Sequence, residues 1–167
     1  MPVPIIERFQ PSVTVAAIVE HDGRFLLVEE HTPEGLRLNN PAGHLEQGET
    51  PLEGVVREAL EETACDFEAQ ALLGLYLARL QRPADGVDVT FLRIAFRGRV
   101  GAPLPGRRLD DGIVRTLWLS PDEIQASRER HRSPLVWRCV QDHLAGRAYP
   151  LDLVTSDATL LQPEIKI

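Results

Sequence analysis

Residues 43–65 read GHLEQGETPLEGVVREALEETAC, and the architecture turns on how this stretch divides. Thr50 precedes Pro51, with Glu53 three residues after the threonine. That is a capping box with proline in the first turn, and it starts a helix there. On a wheel of about 100° per residue, Glu61 falls about 60° to one side of Glu58 and Glu62 about 40° to the other. The three carboxylates share one arc, which is expected to stay open. Leu52, Val55, Val56, Ala59 and Leu60 form a second face, centred about 130° away, which is expected to enter the core. Arg57 lies four residues after Glu53 and four before Glu61 and can pair with either.

The acidic arc is locally unfavourable. Like charges at i,i+4 repel by a few tenths of a kcal/mol, and acids near a helix C-terminus oppose its dipole by roughly 0.3–1 kcal/mol each. Local rules broken together mark functional sites. Two readings stand at this point: a solvated charged face, or a site where a hard divalent cation turns repulsion into ligation, since Mg2+ and Mn2+ take carboxylate oxygens.

Outward from the helix, the chain alternates strand and turn signals. Val13–Val19 and Arg24–Glu29 are apolar and β-branched, and Asp22-Gly23 between them predicts a type I′ hairpin turn. Residues 36–43, LRLNNPAG, predict a short strand running into a loop, with Pro41 ending regular pairing. Strands are predicted at Leu72–Leu80 and Val87–Phe96, a Gly/Pro-rich loop over 98–112, and a strand at Val114–Leu119. Ser120-Pro121-Asp122-Glu123 is a second capping box. A last helix is predicted from Ser133-Pro134 to Gly146, with Leu135, Val136, Cys139, Val140 and Leu144 at helical spacing. Strands mixed with a few helices, without strict alternation, predict an α/β (α+β) sandwich with a mixed sheet.

The chain of 167 residues suits one domain with a substantial core. Lys+Arg is 18 and Asp+Glu is 25, a net charge of −7, which argues against a nucleic-acid polymer or an anionic membrane as partner. A small phosphorylated metabolite remains compatible, because a bound cation reverses the local charge. Cys65 and Cys139 form no CxxC or Cys/His pattern and read as buried reduced thiols. The opening MPVPIIERFQP lacks the pattern of a secretory signal, and no run approaches the roughly 18 apolar residues of a membrane span. The cytoplasm is the expected address, with the protein a monomer or homodimer.

The spacing narrows the reading. From Gly43, five residues lead to Glu49 and seven more to Arg57, followed by Glu58, Glu61 and Glu62. This resembles the Nudix box, GX5EX7REUXEEXGU, where U is bulky and apolar. Two positions depart from it. Ala59 is small for the apolar slot, and Ala64 stands where the family has glycine. If the helix ends in the left-handed conformation, alanine there is strained by roughly 1–2 kcal/mol.

The resemblance implies a Nudix-type α/β/α sandwich with a mixed β-sheet, one domain over residues 1–167, and a catalytic loop–helix–loop at 43–65. It implies hydrolysis of a diphosphate linked to another group, with Mg2+ or Mn2+ as cofactor. Glu58, Glu61 and Glu62 would serve metal and water, with Glu58 the first choice of base and Glu62 mainly a ligand. The carbonyl of Ala42 would be a further metal ligand. Gly43 would be structural, and Glu49 and Arg57 would hold the loop and orient the acids.

PSVTVAAIVEHDGRFLLVEE, NNPAGHLEQGET, FLRIAF, SPDEIQAS and RSPLVWRCVQDHLAGRAYPLDL resemble the NudJ-type phosphatases of that family. That subgroup implies substrates among nucleoside di- and triphosphates and thiamine-related diphosphates, including hydroxymethylpyrimidine diphosphate and thiamine diphosphate. An ADP-ribose or dinucleotide pyrophosphatase is the alternative, disfavoured by an aromatic content of 5%, which leaves few base-stacking candidates. A non-catalytic nucleotide-binding module is a third reading, against which the chain keeps its acids.

Other residues carry two readings each. Arg37, Arg79 and Arg93 are candidate phosphate contacts, although strand arginines more often face solvent. Phe91 is a candidate ring-stacking residue or a core residue, and Trp118 and Trp137 are expected inside. Asp110 and Asp111 either add an acid to the site or form a turn with Gly112. His44 could touch substrate or brace the loop. The run at Arg128–Arg132, RERHR, is expected to be a solvated turn.

Overall fold

Asp22 and Gly23 both have positive φ, 48° and 73°, the type I′ geometry expected of an Asp-Gly pair. The structure, a computed structural model, describes residues 8–162, so the reading of residues 1–7 as no secretory signal lies outside the described residues. The turn joins β1 (Ser12–His21) to β2 (Arg24–Thr32), but the two strands pair only beside it, at Glu20 with Phe25 and His21 with Arg24.

Beyond the turn the strands part. β1 continues between β4 (Ala42–His44), antiparallel, and β6 (Val87–Val100), parallel. β2 continues between β3 (Gly35–Asn39) and β7 (Ile113–Leu119), both antiparallel. β5 (Phe67–Arg82) pairs antiparallel with β6 and ends the first group. The result is a mixed sheet of seven strands, split along its first hairpin. Val15, Ala16, Ala17, Ile18 and Val19 are at most 2% exposed, so β1 is covered on both faces, as a strand with a parallel neighbour requires.

The covers are helical. α1 (Pro51–Thr63) sets Val55 and Ala59 against Val15, Ala17, Ile94 and Phe96. On the opposite side, α2 (Pro121–Ala126) and α3 (Leu135–Leu144) set Ile124, Val136, Cys139 and Val140 against Ala16, Ile18, Phe25 and Leu27. Both capping boxes are formed, Thr50 with Glu53 and Ser120 with Glu123. Each large apolar side chain fully buried here contributes about 1.5–3 kcal/mol. The mixed α+β sandwich expected from the sequence is the observed class.

Several expectations need correction. β5 and β6 are longer than predicted, and in β5 bulges near Ala69–Ala71 and Leu72–Gly74 break the alternation that marks a strand. β6 takes residues 98–100 from the expected loop. Trp118 is 38% exposed, on the outer side of β7. The run 128–132 does form a turn, but two of its three arginines are engaged: Arg130 pairs with buried Glu29, and Arg132 Nε stands 3.9 Å from Glu30.

The largest correction concerns α1. Its buried stripe is Gly54, Val55, Glu58, Ala59, Glu62 and Thr63, whereas Val56 is exposed and Leu52 and Leu60 only partly covered. The face expected to stay open thus carries two buried glutamates. Cys65 and Cys139 are buried free thiols.

Candidate active site

Three pieces of chain meet at the C-terminal half of α1: β4 with the loop after it, α1 itself, and the loop 101–112. Gly43 on β4 faces the helix so closely that a Cβ there would stand 2.2 Å from the Glu58 carboxyl carbon and from both its oxygens. Only glycine leaves room for that carboxyl group. Next to Gly43, the Ala42 N–H donates to Glu62 Oε2 at 2.9 Å.

Arg57 organises the acids. Nε donates to Glu49 Oε2 at 3.0 Å and Nη2 to Glu49 Oε1 at 2.7 Å, a bidentate pair. Nη2 also donates to the His44 carbonyl at 3.0 Å. Nη1 bridges Glu58 Oε1 at 2.7 Å and Glu61 Oε2 at 3.0 Å. All the donors of the fork are therefore in use. Of the two partners expected for Arg57, Glu61 is taken, while Glu53 is occupied at the N-cap. Glu49 in turn accepts from the Glu46 N–H at 2.7 Å, so the loop is tied to the helix through one guanidinium.

The loop 101–112 closes the helix end. The Leu104 N–H donates to the Ala64 carbonyl at 2.8 Å and the Asp110 N–H to the Glu61 carbonyl at 2.9 Å, satisfying groups a helix C-terminus leaves open. Ala64 itself is left-handed, with φ 59° and ψ 17°.

These contacts set the charge states. Burial raises the Glu62 carboxyl to about 8, the Ala42 N–H opposes the rise, and repulsion from Glu58, Glu30 and Asp110 adds to it. Burial likewise raises Glu58, with Arg57 opposing and Glu61 and Asp110 reinforcing. Glu49 lies below its usual range because Arg57 holds its charged form.

Asp110, rather than Asp111, is thus the loop acid whose charge reaches the cluster. Glu30 was not singled out by the sequence, since one acid on an alternating strand carries no signal. Its Oε1 is buried without a hydrogen-bond partner.

The remaining candidates are spread more widely. Arg93 is 6% exposed, not solvent-facing, and its Nη1 and Nη2 donate to Asn40 Oδ1 at 3.1 Å and Asn39 Oδ1 at 3.2 Å. Phe91 is half-buried outside both core clusters, its ring 6.4 Å from that of exposed His44. Arg37 donates to the Glu129 carbonyl at 3.2 Å. Arg79 is exposed and locked bidentately to Asp88 at 2.7 and 2.6 Å. The structure brings Glu58, Glu61, Glu62, Arg57, Glu49, Gly43 and Ala42 together and leaves Arg37, Arg79 and Asp111 out of that cluster.

The NUDIX domain family matches residues 8–137 of the chain. The chain belongs to the Nudix family. This Nudix hydrolase is 36% identical over 147 residues to phosphatase NudJ of Escherichia coli strain K12, covering 87% of this chain and 92% of that protein. The phosphatase NudJ of Shigella flexneri gives the same figures. A NUDIX hydrolase from Nitrosomonas europaea, known as a structure, superposes with a TM-score of 0.80 at 46% identity, covering 89% of this chain and 98% of that one. A MutT NUDIX hydrolase from Burkholderia pseudomallei shares the fold, with a TM-score of 0.64 at 20% identity, covering 80% of this chain and 98% of that one.

The donor set of this Nudix hydrolase fits a hard divalent cation. It consists of carboxylate oxygens, and two of the acids are buried and mutually repelled, a cost that a cation relieves. The closed geometry is not in place. Among the described residues no three His, Cys, Asp or Glu side chains are grouped as a metal cage. Arg57 Nη1 bridges one oxygen of Glu58 and one of Glu61, so each carboxylate keeps its second oxygen for a cation.

Proposed function

We propose that this Nudix hydrolase cleaves diphosphate linkages in small soluble substrates with Mg2+ or Mn2+ as cofactor. The substrates are nucleoside di- and triphosphates and thiamine-related diphosphates such as hydroxymethylpyrimidine diphosphate or thiamine diphosphate, and the product released is phosphate or diphosphate. The observation that carries this reading is the pair of buried glutamates, Glu58 and Glu62, held beside Glu61 and one arginine against a glycine that leaves them room. The likeness to NudJ phosphatases supports the phosphatase class.

Glu58, Glu61 and Glu62, with the Ala42 carbonyl, would hold the cation. When bound, it neutralises diphosphate oxygens and lowers the pKa of water at the site. Water adds to a phosphorus atom, the bridging P–O bond breaks, and the leaving phosphate takes the electron pair. Glu58 accepts the proton from the attacking water. Arg57 keeps Glu58 and Glu61 oriented through one oxygen of each, and Glu49 keeps Arg57 in place. The cytoplasm is the setting proposed for such substrates.

Phosphate release with Mg2+, measured across nucleotides, thiamine diphosphate and hydroxymethylpyrimidine diphosphate, tests the reading. Turnover is expected to fall on the order of 100-fold or more in Glu61→Gln and in Glu62→Gln. Manganese bound to the wild type is expected to lose its spin-resonance signature in the same variants. Wild-type rates in both variants overturn the roles given to these acids.

A further inference from the structure

We infer that Arg93, presented by Asn39 and Asn40, is a receptor for an anionic phosphate oxygen of the bound ester, on the sheet face that also carries His44 and Phe91. The inference rests on the diphosphate-hydrolase reading and names the part of the site that grips the phosphate retained on the ester.

The argument begins with an uncompensated charge. Arg93 is 6% exposed, yet among the described residues no carboxylate oxygen lies within ion-pair distance of it. Its two hydrogen bonds, at 3.1 and 3.2 Å, go to neutral amide oxygens, and its buried Nε has no partner. The Cys139 thiol beside it is kept neutral by burial. Asp142 on α3, which accepts from the Tyr76 hydroxyl at 3.0 Å, is already engaged by Arg138 and Arg147. Burying a cation without an opposite charge is costly. Elsewhere this chain meets that cost, giving Arg57 three acids and buried Glu29 two arginines. A guanidinium left to neutral amides is one prepared for an anion that arrives with the ligand.

Its position suits the substrate. Asn39 and Asn40, 7% and 1% exposed, stand just before Pro41 and Ala42, and the Ala42 N–H holds Glu62. Thr14 is the register partner of both Arg93 on β6 and His44 on β4, and Phe91 lies two residues before Arg93. Paired and alternate residues of a sheet share a face, so the guanidinium and the two rings project to one side. An ester whose diphosphate reaches the α1 acids around the edge of β4 can lay its retained phosphate at Arg93 and its ring against His44 and Phe91.

Asn39→Asp separates a receptor from a structural brace. A brace gains an ion pair with Arg93, so stability holds or rises and substrate handling is unchanged. A receptor is quenched by that same pair. The measurements are calorimetric binding of AMP, thiamine monophosphate and inorganic phosphate to the full chain with Mg2+, and steady-state kinetics on the best diphosphate substrate.

Asn39→Asp and Arg93→Gln are expected to weaken both monophosphate esters on the order of tenfold or more and raise KM alike, with kcat within about threefold. Arg93→Lys is expected to restore part of the affinity. Inorganic phosphate bound as tightly as the esters would place a free-phosphate site at Arg93 and overturn the ester reading. An unchanged KM and unchanged ester affinity in folded Asn39→Asp also overturn it. If the wild type cleaves no diphosphate ester, the functional proposal itself has failed; if it cleaves them and the variants bind as it does, only the receptor has.

Discussion

Gly43 illustrates how one missing atom positions a carboxylate. A methyl at this position would overlap the Glu58 carboxyl, which is the movable end of a flexible side chain rather than backbone. Gly43→Ala is therefore expected to displace the acid without unfolding the chain. The expected result is a loss of activity on the order of 100-fold, since about 1 Å of misplacement suffices for that, with a Tm shift under about 4 °C. Kinetics beside a thermal melt would check it. The role of Gly43 follows from the motif, but its collision with Glu58 does not, because β4 and α1 reach each other only when the chain folds back. Arg57 repeats the lesson. Helical spacing brings Glu61 to it, whereas Glu49, eight residues away, reaches it only through the bend of the loop.

At the scale of the element, α1 was readable at its start and misread along its flank. The capping box at Thr50 uses neighbours in the chain, and local chemistry suffices for it. The wheel groups residues correctly, but it does not say which group meets the sheet. The polar stripe of Glu58 and Glu62 turned inward because β4 brings an amide donor and a glycine-sized opening. The helix exit carries a strain the sequence did anticipate. Ala64 adopts φ 59°, where a Cβ meets the backbone. Ala64→Gly is expected to raise stability by about 0.5–1 kcal/mol, after the greater freedom of glycine in the unfolded chain offsets part of the relief. A higher urea midpoint with an unchanged slope would verify this.

Across the whole molecule, the two groups of strands pair with each other only beside the turn of the first hairpin, and buried charge helps to secure the second group. Glu29 on β2 accepts from Arg115 on β7 at 2.8 Å and pairs with Arg130 of the 128–130 turn. Arg115 and then Arg130 hold its carboxyl below the usual range, against burial. A depressed carboxylate stabilises the fold fully above the unfolded carboxylate range, and that contribution is lost as pH falls through the folded value. Glu29→Gln is expected to melt about 3 °C below the wild type at pH 7, the two curves converging below about pH 4. Thermal melts of both proteins from pH 7 to pH 3 would reveal the convergence, and a gap that stays constant with pH would refute it.

Elements written in neighbouring residues, such as the Asp22-Gly23 turn, the two capping boxes and the spacing of the α1 acids, were legible in the chain before folding. Burial was not, because it depends on which distant segment covers a side chain. Inward glutamates, an arginine between asparagines, Asp110 rather than Asp111 at the helix end, and an exposed Trp118 all arise from such covering. Periodicity assigns side chains to a common face, and long-range packing determines whether that face meets water, a core or a charge.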